Sequence, residues 1–157
     1  MFSPCGCYRW WLRRSWQPAA PALLFIGLNP SRADARHDDP TLRRLLGFAR
    51  AWGFGSLEVL NLFARVACTP QLLRRAADPV GLRNDAWIRH RLGCRPEAVV
   101  WIGWGNLGSW RQRDRQVLRL LAARGREPRA LALTAAGMPR HPLYCPATLT
   151  LRSFEPS

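Results

Sequence analysis

Four short apolar runs, each separated from the next by a segment of helical periodicity, constrain this chain more than any other feature. They cover residues 23–28, 57–63, 98–103 and 130–134. A short, predominantly apolar run reads as a strand buried on both faces, and such strands alternating with helices read as βαβ units. The expected fold is therefore a three-layer α/β/α sandwich around a central, mainly parallel four-stranded sheet with added edge strands.

The intervening segments carry helix signals. Asp39-Pro40-Thr41 opens one in which Leu42, Leu45, Leu46, Ala49 and Trp52 share a face while Arg43, Arg44 and Arg50 look outward, and Gly53-Phe54-Gly55 stops it. Thr69-Pro70 starts a short turn to Arg75, Asp78-Pro79 leads into a helix over 82–92, and a third amphipathic segment over 113–123 ends at Gly125. Before Pro18, Tyr8, Trp10 and Leu12 alternate with Arg9, Trp11 and Arg13, the period of a half-exposed edge strand; 149–152 supplies another. With 157 residues and no repeat, the expectation is one domain over 1–157, with an N-terminal edge-strand segment over 1–17 and a core over 22–146.

All 24 basic residues are arginine; against 10 acidic residues they leave a formal charge of +14. The absence of lysine excludes a lysine Schiff base and a P-loop lysine. The charge makes nucleic acid or a nucleotide the first partner to expect, with acidic lipid or a phosphorylated small substrate behind it. A composition rich in arginine, alanine and proline is the plain alternative. Five irregularly spaced cysteines fit a reducing cytoplasm better than a disulfide framework. Cys5-Gly6-Cys7 is a CxC with no matching pair downstream, so no cofactor is expected; zinc or an iron–sulfur cluster on Cys5, Cys7, Cys68 and Cys94 is the alternative. No apolar run approaches the ~18 residues of a membrane helix. Arg13-Arg14 and Ala33-Asp34-Ala35 imitate an export signal, but Asn29-Pro30 and Arg32 argue against one.

In parallel sheets ligands bind beyond the carboxyl ends of the strands. The residues expected there are Asn29, Asn61, Asn106 and His141. Asn29, between Gly27 and Pro30, either orients a water or forms an Asn-Pro turn. Asn61 either bonds a neighbouring loop or offers donor and acceptor to a nucleobase edge. His141, beside Arg140, either stabilises developing negative charge or is a surface histidine. Asp39 either caps the helix that follows or acts as a general base or metal ligand.

The runs Leu24-Phe25-Ile26-Gly27-Leu28-Asn29-Pro30-Ser31-Arg32-Ala33-Asp34-Ala35, Asp38-Asp39-Pro40-Thr41, Asn61-Leu62-Phe63, Asn84-Asp85 and Gly137-Met138-Pro139-Arg140-His141-Pro142-Leu143-Tyr144 resemble a bacterial family catalogued as a domain of unknown function. More distantly, the order of motifs is similar to that of the uracil-DNA glycosylase superfamily. Gly27-Leu28-Asn29-Pro30 stands where its mismatch-specific branch carries Gly-Ile-Asn-Pro. That resemblance implies a water-positioning role for Asn29, base reading by Asn61, and stabilisation of the departing base by His141. Gly27, Pro30, Ser31, Phe63, Asn106 and Arg140 are the further residues expected to contact a substrate. Leu143 replaces the usual serine after His-Pro, so the strand-pinching loop is not reproduced. Phe48, Trp52, Phe63 and Trp104 are the candidate stacking aromatics.

Two functions follow as expectations. One is hydrolysis of an N-glycosidic bond in nucleic acid or a nucleotide, by Asn29, His141 and Asp39. The other is a non-catalytic nucleic-acid- or nucleotide-binding module on the same fold.

Overall fold

In the computed structural model, which describes residues 1–31 and 37–156, the apolar runs form one sheet. The Arg32-Ala33-Asp34-Ala35 stretch of the first motif lies outside the described residues. The elements are β1 (Leu12–Ser15), β2 (Ala22–Gly27), α1 (Pro40–Ala51), β3 (Ser56–Asn61), α2 (Pro70–Arg75), α3 (Asn84–Cys94), β4 (Val99–Ile102), α4 (Arg113–Ala122), β5 (Pro128–Ala130) and β6 (Arg152–Ser153). Short 3-10 helices cover Asn106–Gln112 and Pro142–Tyr144.

The sheet is mixed and six-stranded, in the order β1-β3-β2-β4-β5-β6, where the expectation is a mainly parallel four-stranded sheet with added edge strands. Its four inner strands are parallel, whereas β1 and β6 pair antiparallel with their neighbours and are full members of the ladder. The alternation of side chains divides the core. Leu23, Phe25, Leu57, Val59 and Trp101 face α1, meeting Leu42, Leu45, Phe48 and Ala49. Leu24, Ile26, Leu60, Val100 and Ile102 face the other way, meeting Ile88 and Leu92 of α3 and Val117 and Leu121 of α4. Helices thus cover both faces.

Two strand expectations need correction. The fourth inner strand is Pro128–Ala130, not 130–134. After Ala130 the chain leaves the ladder, because Ala132 and Thr134 bond Arg140 and Met138 across a tight loop instead, at 2.8 Å each. The last edge strand is Arg152–Ser153 rather than 149–152, since Leu149 and Leu151 pack against the α1-side core. The N-terminal alternation also fails. Arg9 and Trp10 are both buried, because residues 8 and 9 bond the Ala64–Arg65 segment beyond the end of β3 and only Leu12–Ser15 lies in the sheet.

Strand β3 carries a carboxylate in the core. Glu58 is fully buried and accepts two hydrogen bonds from Arg91 at 2.8 Å each, one from Arg95 at 3.1 Å and one from the Trp11 indole at 2.9 Å. Burial pushes its pKa up, but the bonds and charge of Arg91, with Arg95 and Trp11, outweigh that and hold it below the usual carboxylate value.

The connections fix where a ligand can sit. From β2 the chain moves through α1 to β3 on one side, then crosses through α3 to β4 on the other side of β2. That reversal opens a crevice beyond the carboxyl ends of the inner strands. Among the described residues no helix is long and apolar enough to cross a membrane.

Removing the buried carboxylate leaves two arginines without their counter-charge. Glu58→Gln is expected to cost about 3–5 kcal/mol in urea unfolding. The wild-type contribution is complete above the unfolded carboxylate pKa and is lost as pH falls through the lowered native value, so the variant's stability should vary less with acid than the wild type's.

Candidate functional site

Residues that end the inner strands converge on a cavity of about 180 Å³. Gly27 and Asn61, the last residues of β2 and β3, stand side by side in parallel register and point to the α1 face. A Cβ at Gly27 would lie 3.1 Å from the Asn61 amide nitrogen and 2.9 Å from the Phe25 ring, so the glycine lets the amide lie over the end of β2. At the end of β4, a Cβ on Gly103 would come within 3.1 Å of Pro142. Its absence lets the His141-Pro142 segment pack down against the sheet, and His141 becomes a wall of the cavity.

Each polar group has a defined hydrogen-bonding state. Asn29 donates both amide hydrogens to backbone, to the Ala67 carbonyl at 2.8 Å and the Pro30 carbonyl at 3.0 Å. What it presents to a ligand or water is its side-chain oxygen, an acceptor. Asp39 caps α1 by accepting from the Leu42 N–H at 2.7 Å, and it accepts the Ser31 hydroxyl as well. Asp39 is thus the cap of α1, and the same side chain lines the cavity. Its neighbour Asp38 is drawn away, into an ion pair with Arg14 at 2.7 Å.

His141 accepts the Leu143 N–H through Nδ1 at 3.3 Å, so in the neutral ring the proton sits on Nε2 and that nitrogen donates. Burial lowers the pKa of the ring, and the charge of Asp39 acts in the opposite sense.

Asn61 is held from behind. The amide of Asn84, fully buried, donates to the Asn61 and Leu62 carbonyls at 2.9 Å each, and Arg113 Nε donates to the Leu62 carbonyl at 2.7 Å. Asp85 in turn pairs with Arg113. The Asn84-Asp85 motif thus clamps the chain where β3 ends, leaving the Asn61 side chain at the cavity.

The structure brings together Gly27, Asn29, Ser31, Asp39, Asn61 and His141. Other expected contacts lie elsewhere. Pro30 is buried beside the cavity, not in its wall. Phe63 points to the opposite face and packs on Trp110 at 5.1 Å. Asn106 is exposed and accepts the Thr134 hydroxyl at 2.6 Å, and Arg140 is exposed outside the cavity. None of Phe48, Trp52, Phe63 and Trp104 lines it; the aromatic that does is Phe25.

Arg9 is the residue that sequence reasoning missed. Only 5% exposed, it lines the cavity with Nη2 3.5 Å from the Asn61 side-chain oxygen. Burial draws its pKa down to about 10, with Asp39 opposing. A period of two assigned it to solvent, and nothing else in the sequence marked it. Of the four cysteines considered for a cluster, Cys68 lines this cavity, Cys5 and Cys7 lie on the N-terminal loop, and Cys94 sits at the end of α3 beside His90. Among the described residues no group of three or more His, Cys, Asp or Glu is placed to hold a metal ion.

Fold and site define the class: an α/β protein with a mixed sheet and an amide-, carboxylate- and imidazole-lined cavity at the carboxyl ends of its strands. Residues 9–143 match the family described as "Protein of unknown function (DUF1643)", and the chain belongs to that family. Comparison with curated proteins and with solved structures gave no match.

The assigned ring state is open to direct measurement. By NMR, His141 is expected to titrate below the ordinary value of about 6.5 with the proton on Nε2 at neutral pH. Asp39→Asn should lower that midpoint further, because the carboxylate favours the charged ring. A native pKa below the unfolded one means that the stability from neutral His141 is full above about pH 6.5 and declines as pH falls toward the native value.

Proposed function

We propose that this protein hydrolyses the N-glycosidic bond of a base held in nucleic acid or in a nucleotide. The observation that carries the reading is the convergence of Asn29, Asp39, Asn61 and His141 on one cavity at the carboxyl ends of the strands. At about 180 Å³ it is smaller than the ~300–1,000 Å³ pockets that take drug-sized ligands, which suits a single planar base. That Asn29, Asn61 and His141 line one cavity agrees with the roles that the resemblance to the uracil-DNA glycosylase superfamily implies for them. The formal charge of +14 supports a polyanionic or phosphorylated substrate.

In this mechanism the bond from C1′ to the base nitrogen breaks with its electron pair going to the base. Positive charge develops on the sugar, and the Asp39 carboxylate stabilises it electrostatically. Both Asp39 oxygens already accept hydrogen bonds, so it acts as a fixed charge. Water oriented by the Asn29 side-chain oxygen adds to C1′, and the proton it loses ends on the departing base, which leaves neutral. His141, donating through Nε2, stabilises the negative charge on the departing base. Asn61 donates its NH2 to an acceptor on the base edge, its side-chain oxygen being turned toward Arg9.

The engagement of Asn29 and Asp39 within the chain also favours a second reading, a binding module that uses the same cavity without turnover. The two are separated by incubating the protein with single- and double-stranded oligonucleotides carrying uracil, hypoxanthine or mismatches, and with free nucleotides, and measuring released base by mass spectrometry. Hydrolysis predicts release that falls about 100-fold or more in Asn29→Ala and His141→Ala while affinity is retained. Saturable binding with no released base, unchanged in Asn29→Ala, would make the chain a binding module.

A further inference from the structure

The N-terminal hairpin, outside the cavity, carries two thiols one residue apart. Its arms meet at the Phe2–Arg9 bridge and at the Ser3 N–H to Tyr8 carbonyl bond of 2.9 Å. The Gly6 N–H bonds back to the Ser3 carbonyl at 2.9 Å, and Gly6 has a φ of +68° that closes the turn. Cys5 and Cys7 therefore sit at the tip of a loop whose ends are tied. Cys5 is exposed and Cys7 half-buried. The Ser3 hydroxyl lies 3.3 Å from Cys5 Sγ, and the Cys7 thiol points at the Cys5 carbonyl from 3.6 Å.

These contacts favour the thiolate. Hydrogen bonds from the Ser3 hydroxyl first, then from the backbone N–H and the thiol of Cys7, bring the Cys5 pKa down to about 7. The other cysteines differ. Cys145 is buried and its thiol pKa is pushed up by burial, while the exposed Cys94 sits against the His90 ring, 3.6 Å from Nε2.

We propose that Cys5 and Cys7 form a redox-active dithiol, which a low-molecular-weight disulfide such as glutathione disulfide converts to an intramolecular disulfide. The Cys5 thiolate attacks one sulfur of the small disulfide, forming a mixed disulfide and releasing one thiolate. Cys7 then loses its proton and attacks the Cys5 sulfur, releasing the second. Two protein thiols are oxidised by two electrons, one disulfide is reduced to two thiols, and the protons pass to the released thiolates. Excess thiol reverses the sequence.

The magnitude follows from the thiolate fraction. At pH 7 a thiol of pKa about 7 is half ionised, against a few per cent for an ordinary cysteine, whereas its intrinsic nucleophilicity is lower. The net expectation is a Cys5 that reacts about 3-fold faster than an ordinary exposed thiol.

The test treats the reduced full-length chain with glutathione disulfide at pH 7, followed by acid quenching, alkylation and peptide mass mapping. Wild type should gain a Cys5–Cys7 disulfide, two hydrogens lighter and without attached glutathione. Cys7→Ser should halt at a glutathione adduct on Cys5, formed about 3-fold faster than adducts on Cys68 or Cys94. Alkylation of Cys5 by iodoacetamide should rise with a midpoint near pH 7. Wild type that stops at mixed disulfides, or a Cys5 no faster than Cys68 and Cys94, overturns the proposal. Cys7→Ser lies on the N-terminal loop, and a thermal melt matched to that of wild type shows that any loss of reaction is not a loss of fold.

Discussion

A carboxylate shut away from water in the middle of β3 obliges three parts of the chain to meet. Glu58 cannot keep its charge in the core without cations; α3 supplies Arg91, Arg95 follows just past its end, and the N-terminal segment supplies the Trp11 indole. The requirement reaches beyond the pair itself. It fixes α3 over one face of the sheet and draws the N-terminal segment alongside β3, where Trp11 stacks on Trp87 and lies under the Arg91 guanidinium, 4.4 Å from it. Two residues before Trp11 stands Arg9, and three residues after Glu58 stands Asn61. The ion cluster and the cavity are two consequences of the same strand pairing, on opposite faces of the sheet.

The cavity itself is built from groups whose partners decide what they can do. Asn29 has no donor left, Asp39 is a fixed charge held by a helix end and a hydroxyl, and His141 keeps a proton on the nitrogen that its backbone contact leaves open. Behind Asn61, Asn84 and Arg113 satisfy the carbonyls where β3 gives way to a loop. A strand end buried without such partners would be costly, so the Asn84-Asp85 motif serves the site by stabilising its support rather than by touching a ligand.

Much of this organisation is legible in the residue pattern. The runs that become β2, β3 and β4 are recognisable because burial on both faces favours predominantly apolar residues, even though β3 includes Glu58 and Asn61, and α1 is recognisable from an Asp-Pro start and a single apolar stripe. Asn29, Asn61 and His141 are legible together because each follows or ends a strand in a parallel sheet, and Asp39 is legible as the cap of the helix that follows. Phe63 and Asn106 show where that reasoning stops. Both occupy strand-following positions, yet one turns to the opposite core and the other to a loop threonine, since adjacency to a strand end does not say which face a side chain takes. Arg9 is illegible for the converse reason: its period-two setting points it outward, and only the contact of its segment with the chain beyond β3 turns it inward.

The sequence by itself determined the alternation of strands and helices, the start and stop of α1, the all-arginine positive charge and the residues that could meet at the strand ends. These are local properties, set by periodicity, capping and side-chain chemistry over a few neighbours. The tertiary structure alone decided that the sheet is mixed and six-stranded, that Glu58 is neutralised inside it, and that Arg9 joins Asn61 while Asn106 does not. Those outcomes depend on partners more than 20 positions apart in the chain, and no short-range pattern encodes which distant group will satisfy a buried charge or carbonyl.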